Sequence, residues 1–224
     1  RRRPQLLEFC KAGHVKGVED AIKSGANVNM VCRLGRTGLM LSVAGPHNPL
    51  VRLLLRHPHI DVNLKNNSGQ TALFSALSVF NRGLECFQLL LGDPRVDKNI
   101  QDNDGDTPLT LAVFIAALIR DQTKIKEVVK LLLSDDRLDP NIKTNSGDTA
   151  LMMAIKLGLE TTEVAELLIL LSNPPSRIHS SCWTLMFPSV ACAGRRGWKA
   201  RAARLRTNHS IARETLAGLT HALG

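Results

Sequence analysis

The chain has 224 residues, 44% hydrophobic and 22% charged, and a formal net charge of +9. This is ordinary for a soluble globular protein and long enough to bury the core of one or two domains. No apolar run reaches the roughly 18–20 residues needed to cross a bilayer; the longest, residues 182–194, has 13 and is interrupted by Pro188.

The positive charge is not spread evenly. Residues 1–3 carry +3. Residues 4–172 hold 18 basic and 19 acidic side chains, a balance of −1. Residues 173–224 hold eight Lys/Arg and one Glu, a balance of +7. A near-neutral body with basic ends follows. The first residue is not methionine, so a fragment or a processed form stays open, and no N-terminal hydrophobic stretch reads as a secretory signal. The five cysteines, Cys10, Cys32, Cys86, Cys182 and Cys192, are irregularly spaced with no C-x-x-C. That argues against a disulfide framework or a zinc site and for a reducing compartment. The N-x-S sequons at Asn66 and Asn208 carry little weight without a signal peptide.

The first element, LLEFCKAGHVKGVEDAIKSGANVN at residues 6–29, is a weak copy of a unit that then recurs. GRTGLMLSVA begins at Gly35, GQTALFSALS at Gly69, GDTPLTLAVF at Gly105 and GDTALMMAIK at Gly147, at spacings of 34, 36 and 42. A second apolar block follows each: LVRLLL at 50–55, FQLLL at 87–91, VVKLLL at 128–133 and VAELLIL at 164–170. After three of these comes D-x-N, at Asp61 and Asn63, Asp97 and Asn99, and Asp139 and Asn141. Thr37, Thr71, Thr107 and Thr149 stand at helix N-cap positions, and Pro108 follows at a first helical position. Each cap is worth about 1 kcal/mol. A short helix with Leu39, Leu73, Leu109 and Leu151 inward leads by a loop to a second helix carrying the leucine block. Asn and Gly then turn the chain back. One such pair cannot bury its apolar face alone, whereas five stacked pairs can.

These residues resemble the ankyrin repeat, whose pattern is G-x-T-P-L-H-x-A-A, then V-x-x-L-L, then G-A-D-V-N. The resemblance covers residues 4–172 and implies an all-α helix-turn-helix solenoid with β-hairpin-like turns. The repeats are expected at about 4–34, 35–68, 69–104, 105–146 and 147–172, followed by a basic tail at 173–224. Departures are clear. Met40, Phe74, Thr110 and Met152 replace the histidine that helps tie the family's turn, which points to less rigid units. In the fourth unit, residues 115–128 are expected to lengthen the link between the two helices. Only the first unit keeps the G-A-x-V-N ending, at residues 25–29.

The stretch NIQDNDGDTPL at 99–109 raises the question of calcium, because Asp102, Asp104 and Asp106 alternate around a glycine. A calcium loop needs its glycine at the sixth place and a bidentate Glu at the twelfth. Counted from Asp102, Gly105 is fourth and Val113 twelfth, so the stretch reads as a turn. The matching turns RLGRT, NSGQT and NSGDT hold too few carboxylates for an ion.

The resemblance implies that the turn tips and the exposed side of the first helices form a concave, partner-gripping face. The first tip carries Arg33 and Arg36. The second carries Lys65 with Asn67 and Gln70. The third carries Asp102, Asp104 and Asp106, and the fourth Lys143 and Asp148. A protein partner with one basic and one acidic end would be steered into register by this change of sign. Solvated tips are the competing reading, since exposed pairs are worth under about 1 kcal/mol. Phe114 and Ile115 fall on the side corresponding to that face; packing against residues 116–123 is the favoured reading for both.

No phosphate loop, dinucleotide fingerprint or nucleophile elbow occurs. Among His14, His47, His57, His59, His179, His209 and His221, only His57 and His59 are close, and spacing places no third ligand beside them. Neither catalysis nor a cofactor or metal is expected. The resemblance implies a non-catalytic adaptor or scaffold, monomeric, in the cytoplasm or nucleus. It also implies one modification. Leu55 followed by Asp61, Val62 and Asn63 resembles the L-x-x-x-x-x-D-V-N pattern of the asparaginyl hydroxylase that acts on ankyrin repeats, with Asn63 as the acceptor.

After Leu171 the repeat pattern stops at SNPPSR, 172–177, where two prolines end any helix. The favoured reading of the tail is an extension with little fixed structure. A second makes Arg195, Arg196, Lys199, Arg201, Arg204 and Arg206 a basic arm for nucleic acid or anionic lipid. A third makes residues 208–223, with Ala212, Leu216, Leu219 and Leu223 on one stripe, a helical cap on the last repeat.

Overall fold

In the computed structural model the described residues are 5–45, 47–79, 84–119, 123–159, 164, 165, 167 and 168. Among them are nine helices: α1 Gln5–Ala12, α2 Val15–Lys23, α3 Gly38–Ala44, α4 Asn48–Leu55, α5 Ala72–Ser78, α6 Glu85–Gly92, α7 Pro108–Leu118, α8 Thr123–Leu133 and α9 Ala150–Lys156. Extended pairing among the described residues is limited to one isolated bridge, between Val31 and Thr37. The architecture is all-α. The proposed tail arm and cap lie outside the described residues.

The chain divides into two compact units, Arg1–Ala112 with Thr144–Gly147, and Val113–Lys143 with Asp148–Gly224. In the first unit, helices of seven to nine residues are too short to persist alone in water, so packing must hold them. The first helices α1, α3 and α5 pack in sequence on one another, α2, α4 and α6 do the same, and each pair forms a hairpin. Leu7, Leu39 and Leu73 of the first helices are buried, as are Val18, Leu54 and Leu90 of the second.

The threonines start the helices as the spacing predicts, with one exception. Oγ1 of Thr37 accepts from Met40 N at 3.2 Å, and Oγ1 of Thr107 from Thr110 N at 3.2 Å. Thr71 has the same extended backbone, φ −92° and ψ 179°, but its side chain makes no cap bond. Its hydroxyl is buried without a partner among the described residues.

The missing histidine is answered differently at each place. Met40 and Phe74 are buried and fill the core, whereas Met152 is 39% exposed. Thr110 takes over a tie: its Oγ1 accepts from Thr107 N at 2.8 Å and lies 2.9 Å from Asp106 Oδ1, to which it donates. Lys98 is a surprise. It occupies the place of Val28 and Val62, and it is 5% exposed against 4% for each valine.

In the second unit, α8 buries Ile125, Val128, Val129 and Leu132 on one stripe at helical spacing, and α9 buries Ala150, Leu151 and Ala154. Thr149 caps α9 by accepting from Met152 N at 3.3 Å. The expectation of a lengthened link at 115–128 is corrected. Most of those residues extend the helices: α7 and α8 have 11 residues each, against seven in α5. Helix extension satisfies each added backbone group locally, which a longer loop would leave to water. The packing favoured for Phe114 is corrected with it. Residues 116–118 belong to the same helix as Phe114, which is 44% exposed, as is Leu118 at 70%.

Candidate functional site

The candidate site is the set of hairpin tips. Each turn is closed locally first. At the third tip, Asp102 Oδ1 accepts from Asp104 N at 3.0 Å and from Asp106 N at 2.9 Å, while Gly105 N donates to Asp102 O at 3.1 Å. At the second, Asn66 Oδ1 accepts from Ser68 N at 2.9 Å and Gln70 N at 3.0 Å. These side chains therefore cap their own turns. Among the described residues no three His, Cys, Asp or Glu side chains are grouped to hold a metal ion. The rings of His57 and His59 meet edge to face at 5.9 Å between centres and 63° between planes, and His57 Nδ1 accepts from His59 N at 3.2 Å.

Three asparagines then tie tip to tip. Asn67 donates from Nδ2 to Arg33 O at 3.0 Å and from its backbone N–H to Leu34 O at 3.1 Å. Asn103 repeats this on Asn67 O at 2.9 Å and Ser68 O at 3.1 Å. Asn145 repeats it on Asn103 O at 2.9 Å and Asp104 O at 3.2 Å. All of these lie within the first unit. Sequence reading treated Asn67 as a contact residue and missed the ladder. The signal was present in NSG, NDG and NSG, where Asn precedes each turn glycine by two.

Arg33 and Arg36 are exposed at the first tip. Lys65 is also exposed, but its Nζ donates to Gln101 O at 2.8 Å, so it is tied to the third tip. At the third tip, burial, the main cause, and the charges of Asp102 and Asp104 push the Asp106 carboxyl above its ordinary value, with the Thr110 hydrogen bond opposing. Asp102 and Asp104 stand in the same turn, which carries concentrated negative charge. In the second unit Asp148 accepts from Lys156 Nζ at 2.7 Å on both oxygens, so its charge is matched. Lys143 is exposed there and Phe114 projects from α7. Arg195, Arg196, Lys199, Arg201, Arg204 and Arg206 lie outside the described residues.

A second set of ties runs along the opposite turns. Asn29 Nδ2 donates to His59 O at 2.8 Å and its Oδ1 accepts from Asp61 N at 2.8 Å. Asn63 makes the same pair with Arg95 O at 2.8 Å and Asp97 N at 2.9 Å. Asn63 thus has a structural task beyond closing its own turn. Arg95 forks onto Asp93 through Nε at 3.0 Å and Nη2 at 2.7 Å, which lowers the Asp93 carboxyl.

Helix hairpins tied through asparagine ladders, with glycine turns between, define a helical repeat protein whose exposed chemistry lies on its turns. The family described as ankyrin repeats in three copies matches residues 6–102 and 77–179. The chain belongs to the ankyrin-repeat family, and its fold is the family's all-α helix-turn-helix solenoid. It is also similar to Rabankyrin-5 of Mus musculus, 30% identical over 64 residues, which is 29% of this chain and 6% of that protein. The chain therefore spans a small part of that relative's length. Ankyrin repeats are generally non-catalytic protein–protein interaction modules. No helix among the described residues is long and apolar enough to cross a membrane.

Proposed function

We propose that the chain is a monomeric adaptor or scaffold in the cytoplasm or nucleus. Its repeats correspond to the boundaries given above, and it grips a protein partner on its tips and concave face. The contacts assigned in the first unit are Arg33, Arg36, Lys65, Asn67, Gln70, Asp102, Asp104 and Asp106. Phe114, Lys143 and Asp148 are assigned in the second. The observation that carries this reading is the ladder. Within the first unit it holds the basic and acidic tips in register, so a partner of complementary charge meets a surface ordered before binding and loses little further entropy. The test is capture of cellular proteins by the full chain, compared with a variant in which Asp102, Asp104 and Asp106 are all Asn. Each Asn keeps the side-chain oxygen that closes the turn. Unchanged capture and unchanged salt dependence would remove the acidic tip from the site.

A second reading rests on the six basic residues between 195 and 206, which would bind nucleic acid or anionic lipid. Nucleic-acid binding by this arm predicts log affinity falling steeply with log salt, by a slope of several units. A flat profile removes this reading, and capture indifferent to nuclease removes its nucleic-acid form. Asn63 is proposed as a hydroxylation site on its D-V-N pattern. Peptide mass analysis of native material showing no oxygen addition would count against it.

A further inference from the structure

The asparagine ladder has an open edge. At the second, third and fourth tips an Asn offers two donors, its backbone N–H and its side-chain amide, to successive carbonyls of the tip before it. At the first tip the matching residue is Arg33. No described residue accepts from the Arg33 N–H or from the guanidinium of Arg33 or Arg36, and both side chains are exposed. The flanking positions differ too. Leu34 is 61% exposed and Val31 50% exposed, where the second tip has Ser68 and Lys65 and the third has Asp104 and Gln101. Two arginines, two exposed aliphatic side chains and an unused backbone donor thus meet on one turn.

We infer that this edge docks an acidic, leucine-type segment of a partner protein in extended form. A backbone carbonyl of that segment takes the Arg33 N–H, continuing the ladder by one rung. Its carboxylates pair with the Arg33 and Arg36 guanidinium groups, for which planar bidentate geometry is favourable. An apolar side chain two places from the carboxylate covers Leu34 and Val31, because alternate side chains of an extended segment share a face. The backbone donor favours a peptide over a lipid surface, since a headgroup offers no amide carbonyl at that spacing. This inference rests on the proposed role of the tips and names the chemistry of the partner at one of them.

The experiment titrates the full 224-residue chain into a fluorescein-labelled dodecapeptide in which leucine and an aspartate or glutamate stand two places apart, with serine between them. A peptide with lysine at every acidic place and phosphatidylserine vesicles serve as comparison arms. The acidic peptide is expected to bind and to weaken with salt. Combined Arg33→Gln and Arg36→Gln should weaken it by about tenfold or more. Leu34→Ser, which supplies the residue found at the second tip, should weaken it by several-fold. The Arg33 amide proton should shift downfield on saturation. Because these side chains are exposed and none is hydrogen-bonded to a described residue, thermal melts of the variants should overlay the parent's. Absence of binding up to about 1 mM, equal binding of the lysine peptide, indifference to the Arg33 and Arg36 changes, or binding to vesicles alone would overturn the inference. Should cellular capture still depend on Asp102, Asp104 and Asp106 in that case, the tips bind a partner and only this edge is excluded.

Discussion

A Cβ on Gly69 would lie 2.5 Å from Oδ1 of Asn103 and 2.6 Å from its amide nitrogen. Gly69 also has φ +76°, in the left-handed region that costs other residues about 1 kcal/mol or more. The turn thus excludes a side chain twice, once by its own backbone and once by its neighbour in the ladder. Gly25 shares the left-handed backbone, φ +86°, but its Cβ would meet nothing within 4 Å.

Gly69→Ala is therefore expected to cost about 2–4 kcal/mol, combining local strain with a displaced ladder rung. Gly25→Ala should cost about 1 kcal/mol. Urea unfolding of the two variants against the parent measures the difference. Equal losses would mean that the ladder yields without cost.

Thr37 and Thr71 occupy the same place in consecutive units but do different things. Thr37→Val removes a cap and should destabilise by about 1 kcal/mol. Thr71→Val removes a buried hydroxyl that has no partner among the described residues and should be neutral or stabilising. Denaturant midpoints for the pair are the check, and a loss at Thr71 equal to that at Thr37 would contradict the observed geometry.

Asn63→Ala deletes both bonds that reach Arg95 and Asp97 and leaves those backbone groups to water. The expected loss is about 1–3 kcal/mol. Asn63→Asp keeps an acceptor for Asp97 N but no donor for Arg95 O, and should fall between. Faster amide exchange at Asp97 in Asn63→Ala than in Asn63→Asp would report the broken rung.

Asp93 and Asp106 respond oppositely to acid. The Asp93 carboxyl is held below its ordinary value of 3.8, chiefly by the Arg95 hydrogen bond. Its contribution is therefore present above that value and lost as pH falls through the lowered folded value. The Asp106 carboxyl is raised above 3.8, chiefly by burial. The folded chain holds that proton more tightly than the unfolded chain, so this contribution is present below 3.8 and lost as pH rises through the folded value. At neutral pH Asp93→Asn should lower the melting midpoint by a few degrees, whereas Asp106→Asn should hold or raise it. As pH falls below 3.8 and through the lowered folded value, the difference between Asp93→Asn and parent should shrink. Melts at acid and neutral pH decide both signs.

The sequence by itself determined the repeat, its period, the inward leucines, the threonine starts and the turn glycines. These depend on bonds and contacts within one hairpin, where residues three or four apart meet whatever lies beyond. The sign of each tip was equally legible, because charge is carried by the residue type. What the tips do with their polar groups was decided only by tertiary structure. Asn67, Asn103 and Asn145 find acceptors 34, 36 and 42 residues away, and Lys65 finds one 36 away. Those partners exist only once neighbouring hairpins stack in one register. The same stacking buries Lys98 where its relatives are valine, and the local backbone of Thr71 does not reveal that its hydroxyl is left idle. Residues 115–118 read as a link because the fourth period is long, yet an apolar helix could absorb them by satisfying its own backbone. Short-range geometry is written in the order of the residues, whereas pairing across repeats is fixed by which hairpins come to lie side by side.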